Sequence, residues 1–293
     1  MIVIPSKKLT FATATVKKPS ISLEKEYMLK NVAVMGLGWL GLPLAKKLDQ
    51  DGYTVRGSTT RSEKLMELLN SGLAVRILQL VPHAIKGNFK SFIADANVLI
   101  ICIPPNRDHT YPDRIRQITL LAPRDLKVIY ISSSSVYGNP DTEVHEESPT
   151  QPERASGEWV LATEKLLENH FQSNLTIIRF AGLFGPDRHP GRFLSGKKAL
   201  SRPKGKVNLI HLDDCIQLIS AVISQQQFGY IINGCADNHP DRASFYSRAA
   251  HELSLPKPNF DQSDQKMGKT VSNKRSKELL GLTYQCPDPL ECI

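Results

Sequence analysis

Residues 31–41 read NVAVMGLGWLG, and the ten that follow read LPLAKKLDQD. A short apolar run meets glycines at 36, 38 and 41, and Leu40, Leu44 and Leu48 then recur at helical spacing. Each glycine answers a separate physical need. Gly36 lets the chain turn tightly after a strand, Gly38 removes the Cβ that would block an approaching phosphate, and Gly41 lets helix and strand pack closely. A helix beginning there leaves unpaired N–H groups and a partial positive charge at its N-terminus, which suits a diphosphate. Glycine-rich turns are common, so the strand before and the helix after carry the reading. The expected occupant is a nicotinamide dinucleotide, held by Gly36, Gly38, Trp39, Leu40 and Gly41.

Outward from this stretch, apolar runs alternate with helical patterns. Strands are expected at Val32–Met35, Thr54–Gly57, Val75–Leu80, Val98–Ile103, Lys127–Ser132, Leu175–Phe180 and Tyr230–Asn233. Helices are expected near 40–50, 62–71, 112–122, 156–171, 213–225 and 243–253. Continuous apolar runs such as VLIICI and VIYIS suit strands buried on both faces. The pattern predicts an α/β fold: a doubly wound, Rossmann-type parallel sheet with a small C-terminal substrate lobe. The expected core is 29–185 continued by 206–238, and the lobe is 186–205 with 239–293. Residues 1–28 are Ser/Thr/Lys-rich with weak periodicity, and read as an extension, disordered or non-native.

The chain has 293 residues, 41% hydrophobic and 23% charged, the balance of an ordinary globular protein. Five scattered cysteines without CxxC spacing argue for a reducing, cytoplasmic setting and against structural zinc. No apolar stretch approaches a membrane span, and no metal site is expected. The net charge of +8 is uneven: residues 187–206 hold seven basic residues against one acid. With only Phe193 interleaved, that cluster suits a small anion better than nucleic acid.

NAD binders place an acid about twenty residues after the first glycine, to accept bonds from the ribose 2′-OH. Here that region reads RGSTTR, residues 56–61, without an acid. Ser58, Thr59 and Arg61 can receive a 2′-phosphate instead, which predicts NADP(H) over NAD(H). That Arg56 and Arg61 are ordinary surface residues stays open at this stage. Ile103, Pro104 and Ser132, at neighbouring strand ends, complete the expected cofactor lining.

The run ISSSSVYG (131–138), the segment RFAGLFGP (179–186), HLDD (211–214) and Ile232-Asn233 stand in collinear order. Together they resemble the extended short-chain dehydrogenases/reductases, the NAD(P)-dependent epimerase/dehydratase family. The segment GPDRHPGRFLSGK (185–197) and the C-terminal YQCPDP (284–289) are similar to an atypical bacterial branch of it, the YeeZ-like proteins. The resemblance implies an oxidoreductase or epimerase acting on a phosphorylated or nucleotide-linked carbonyl compound. Typical members carry Tyr-x-x-x-Lys on the helix after the fifth strand. Anchored on Glu164-Lys-Leu-Leu167, those positions fall on Ser156 and Val160, which cannot move that proton. Ser133 aligns with the family's helper hydroxyl, or simply belongs to a polar strand end. His189, between Arg188 and Arg192, is the candidate replacement base. Arg179, Arg188 and Arg192 are candidate substrate clamps, Arg179 equally a buried ion-pair partner. Loss of the dyad supports a second reading, an inactive NADP(H)-binding sensor. The resemblance further implies a homodimer, through the helices near 112–122 and 156–171.

Overall fold

The computed structural model describes residues 29–106 and 108–293, so the expected extension at 1–28 lies outside the described residues. The main sheet contains β1 (Asn31–Met35), β2 (Thr54–Thr59), β3 (Ala74–Ile77), β4 (Val98–Ile101), β5 (Lys127–Ser133), β6 (Leu175–Phe180) and β7 (Ile231–Gly234). Every pairing is parallel, in the spatial order β7-β6-β5-β4-β1-β2-β3. The order reverses between β1 and β4, and in such sheets the ligand crevice lies outside the carboxyl ends at that switch point. The expected fold class is therefore present.

Period-two alternation builds a core on each face of the sheet. Val32 and Val34 of β1 join the cluster containing Leu44 and Leu48 of α1 (Gly41–Gln50), and Leu218 and Ile219 of α7 (Leu212–Ser224). Ala33 and Met35 join the opposite cluster, with Phe89 and Phe92 of α3 (Phe89–Ile93), Ile115 of α4 (Tyr111–Leu121) and Phe171 of α5 (Ala155–Phe171). The remaining helices are α2 (Leu65–Asn70), α6 (Gly191–Leu194), α8 (Arg242–Glu252) and α9 (Lys274–Leu280).

Two local departures have physical causes. The run 75–80, expected as one strand, breaks at Leu78, and Gln79–Val81 turns back on Ala84–Lys86 as a hairpin. Among the described residues β3 has no neighbour beyond it, and the break lets Leu78 and Leu80 bury in the second cluster. Helix α3 escaped the sequence because five residues carry too little periodicity; Asn88 caps it, its Oδ1 accepting from Ser91 N at 2.9 Å.

In the lobe, Gly182–Phe184 pairs in parallel with Leu209–His211, and Phe184, Leu209, Phe245 and Cys286 form a small core. Helix α6 lies against α8 so closely that a Cβ on Gly191 would stand 2.2 Å from the Ala249 carbonyl oxygen. From the end of α9 the chain returns to the main core, where Leu280, Leu282 and Tyr284 join the cluster with α7. Cys286 and Cys292 form a disulfide, leaving Cys102, Cys215 and Cys235 free. A six-residue separation without CxxC spacing gave no warning that the lobe folds these two together. Among the described residues no helix is long and apolar enough to cross a membrane.

Candidate functional site

At the switch point lies a crevice of about 670 Å³, floored by the glycine turn and walled by Cys102, Ile103 and Pro104 just past β4. Gly36 sits at φ +103°, a conformation L side chains rarely adopt, and its N–H donates to Ser58 Oγ at 3.1 Å. Leu37 N donates to Ser58 O at 2.8 Å, which ties the turn to β2. Helix α1 then starts so near the turn that a Cβ on Gly41 would stand 2.1 Å from Gly36 O. At Gly38, by contrast, a Cβ would meet nothing within 4 Å. The N–H groups of Trp39 and Leu40 find no acceptor among the described residues. Two unpaired donors, a helix N-terminus and an unobstructed approach make an anion nest.

The end of the crevice beside β2 is cationic. Arg61 and Lys64 line it, exposed and without a carboxylate within ion-pair distance among the described residues. Among the described residues the sole acid in the lining, Asp187, lies across the crevice in the segment after β6. Ser58 and Thr59 are buried, and their hydroxyls accept from Gly36 N and Arg61 N, so they shape the turn. Arg56 is held away from the crevice, pairing with Asp95 at 2.8 Å and donating to the Ser91 and Phe92 carbonyls. The opposite wall is braced by Tyr111, whose hydroxyl donates to Ile103 O at 2.8 Å.

Two sequence expectations change at the ends of β5 and β6. Ser132 does not line the crevice; its hydroxyl donates to Glu164 in the core. Arg179 is not a substrate clamp. Its Nε and Nη2 bind Glu164 at 3.0 and 2.7 Å, with the two side chains 5% and 3% exposed. The ion-pair alternative holds because a guanidinium buried on β6 needs a carboxylate, and α5 delivers one. Tyr137 is buried too, donating to Asn233 Oδ1 at 2.8 Å and accepting from Arg179 Nη1 at 3.0 Å. Glu164 was the residue missed. Its signal was an acid four residues after Val160 and three before Leu167, on the buried face of α5.

Ser133 stands half-buried at the end of β5, where its Oγ accepts from Ser135 N at 3.1 Å and caps the turn Ser134–Tyr137. On α5, Ser156 is half-buried and Val160 packs in the cluster with Val136 and Tyr137. His189 departs from its expected role as base. Its Nδ1 accepts from Gly191 N at 3.1 Å, so the neutral ring carries its proton on Nε2. Burial first, then Arg192, holds its pKa below the usual histidine range. The free nitrogen of the neutral ring is thus a donor. Arg192 is exposed beside it.

A group that sequence reading passed over enters the Ser133 turn from the lobe. Lys269 is 8% exposed and its ammonium donates to the carbonyls of Ser134 (2.6 Å) and Gly138, with no carboxylate in ion-pair distance among the described residues. Burial pushes its pKa down to about 8, against a smaller opposing pull from Glu153. Between pH 8 and the ordinary lysine value of 10.5 the unfolded chain binds the extra proton, so the native state gains relative stability as pH rises. Below pH 8 both states are protonated and that gain is absent. The unfolding free energy of wild type relative to Lys269→Met is expected to climb from pH 7.5 to 9.5, by at most about 1.4 kcal/mol per pH unit. Urea titrations at four pH values read this; a flat difference would contradict a desolvated ammonium.

Comparison with known proteins agrees with this geometry. Residues 31–148 match the NAD-binding domain family of 6-phosphogluconate dehydrogenase, and residues 113–233 match the NAD-dependent epimerase/dehydratase family. Protein YeeZ of Escherichia coli K12 is 38% identical over 270 residues, covering 89% of this chain and 98% of YeeZ. Among solved structures, a conserved Silicibacter pomeroyi protein of unknown function superposes with TM-score 0.70 at 22% identity, over 90% of this chain and 96% of that one. UDP-glucuronic acid 4-epimerase from Bacillus cereus, solved with NAD, gives TM-score 0.69 at 19% identity, over 89% and 96%. At these identities the structural likeness shows the fold.

Proposed function

Because this chain belongs to the NAD-dependent epimerase/dehydratase family, in the branch of protein YeeZ, we propose that it binds NADP(H) and acts as an oxidoreductase or epimerase. The substrate in this reading is a small anion, phosphorylated or nucleotide-linked. The observation that carries it is the crevice: unpaired N–H groups at Trp39 and Leu40, open space at Gly38, and Arg61 with Lys64 where NAD binders place an acid. Bound there, the nicotinamide would accept or supply a hydride. Ser133 Oγ already accepts from Ser135 N, which leaves its own proton to donate to a substrate oxygen. Arg192 would steer the anion. Catalysis runs here without Tyr-x-x-x-Lys, since Ser156 and Val160 hold those positions. We further propose a homodimer through α4 and α5, supported by Leu120, 68% exposed on α4. A cytoplasmic location belongs to the same proposal.

The burial of Val160 in the Val136–Tyr137 cluster favours a second reading, a dinucleotide-reporting module without turnover. Incubating the protein with NADPH and pools of phosphosugars or nucleotide sugars separates the two. Product masses support the enzyme; tight binding with no turnover supports the sensor. For the cofactor, Arg61→Ala is expected to weaken NADPH binding about 10- to 100-fold, the worth of one charge-assisted hydrogen bond. NADH binding should change by less than about twofold, having no 2′-phosphate to lose. Equal losses for both would refute the preference.

A further inference from the structure

The glycine turn is tied to a segment far along the chain. Trp39 Nε1 donates to the Pro186 carbonyl at 2.7 Å, across a sequence separation of 147. Arg188 lies over the indole with Cζ 5.4 Å from the ring centroid, and its Nε donates to Leu183 O at 2.8 Å. Between them Gly185–Arg188 makes a tight turn, closed by Arg188 N donating to Gly185 O at 3.0 Å. Pro186 and Asp187 thereby form a wall of the crevice facing the glycine turn. The segment is anchored behind by the paired strands Gly182–Phe184 and Leu209–His211. Among the described residues the Arg188 η nitrogens have no protein partner, so the cation stacked on the Trp39 indole keeps its bidentate face free.

We propose that Gly185–Arg188 is a strap that closes a dinucleotide into the crevice, with Trp39 as its latch and Arg188 as a diphosphate-binding residue. This rests on the dinucleotide reading above and reassigns Arg188, expected on the substrate, to the cofactor. Release then requires the strap to lift, breaking the Trp39–Pro186 hydrogen bond and the Arg188–indole stack together.

The test uses the full chain, preloaded with NADPH and mixed rapidly with excess NADP+, following nicotinamide fluorescence. Trp39→Phe removes the latch donor but keeps a ring, and Arg188→Met removes the charge. Each is expected to speed release at least about tenfold while association changes by less than about threefold, since such losses appear mainly in the off-rate. Arg188→Lys should restore part of the loss. Saturable binding with release within about twofold of wild type in both variants would overturn the strap alone. No saturable NADPH binding by wild type would overturn the dinucleotide reading, and the strap with it.

Discussion

Gly38→Ala is expected to leave the protein folded and to abolish useful dinucleotide binding; Gly41→Ala is expected to damage the fold itself. A methyl group at 38 meets no protein atom within 4 Å and projects into open space beside the unpaired N–H groups. It should therefore cost little stability yet stand where a diphosphate must lie. NADPH affinity should fall at least about 100-fold, close to 3 kcal/mol. At 41 the added Cβ would lie 2.1 Å from a backbone oxygen of Gly36, and neither partner is a flexible side chain. Helix α1 would have to move off β1, at about 3 kcal/mol or more for so tight a clash. Urea midpoints with NADPH titrations distinguish the two substitutions. Wild-type affinity in Gly38→Ala would mean that no diphosphate rests on this turn.

The largest expected loss of stability comes from Glu164→Gln. Arg179 and Glu164 are almost wholly buried and bound through two hydrogen bonds, with Ser132 and Tyr137 attached to the same pair. Removing the carboxylate charge leaves a guanidinium buried without compensation, which costs about 3–5 kcal/mol. The double variant Glu164→Leu with Arg179→Met removes both charges, and should recover a substantial part of that loss. Chemical denaturation of the single and double variants measures it. If the double variant is as unstable as the single one, the pair is not the electrostatic unit that its geometry indicates. Because Ser132 and Tyr137 flank the Ser133 turn, the pair also holds the proposed reacting hydroxyl in place.

The positions legible beforehand were those whose role is local. β6 begins and ends at Leu175 and Phe180 as expected, because a buried parallel strand announces itself by an uninterrupted apolar run. The glycines of the turn were legible for a related reason, since backbone conformation and absent Cβ atoms are properties of the residues themselves. Arg56 and Arg61 could not be told apart in this way. Four residues lie between them, yet Arg56, within β2, turns to Asp95, while Arg61, just past the end of β2, lines the crevice, and that depends on where the packing of the sheet places each. His189 failed likewise: its place between Arg188 and Arg192 suggested a base, but the Gly191 N–H takes the nitrogen a base would need.

Residue identity and spacing alone determined a parallel α/β sheet, its glycine turn and the absence of an acid after β2, because each depends on contacts within a few residues or on a repeat along the chain. Only the tertiary structure decided that Glu164 neutralises Arg179, that Lys269 reaches the Ser133 turn, and that Trp39 meets Pro186. Those partners are separated by 15, 135 and 147 positions. Nothing in a linear pattern specifies which of many distant polar groups will share one buried space. Folding selects them, because a charge or donor removed from water must find its partner wherever the packing of the sheet and lobe places one.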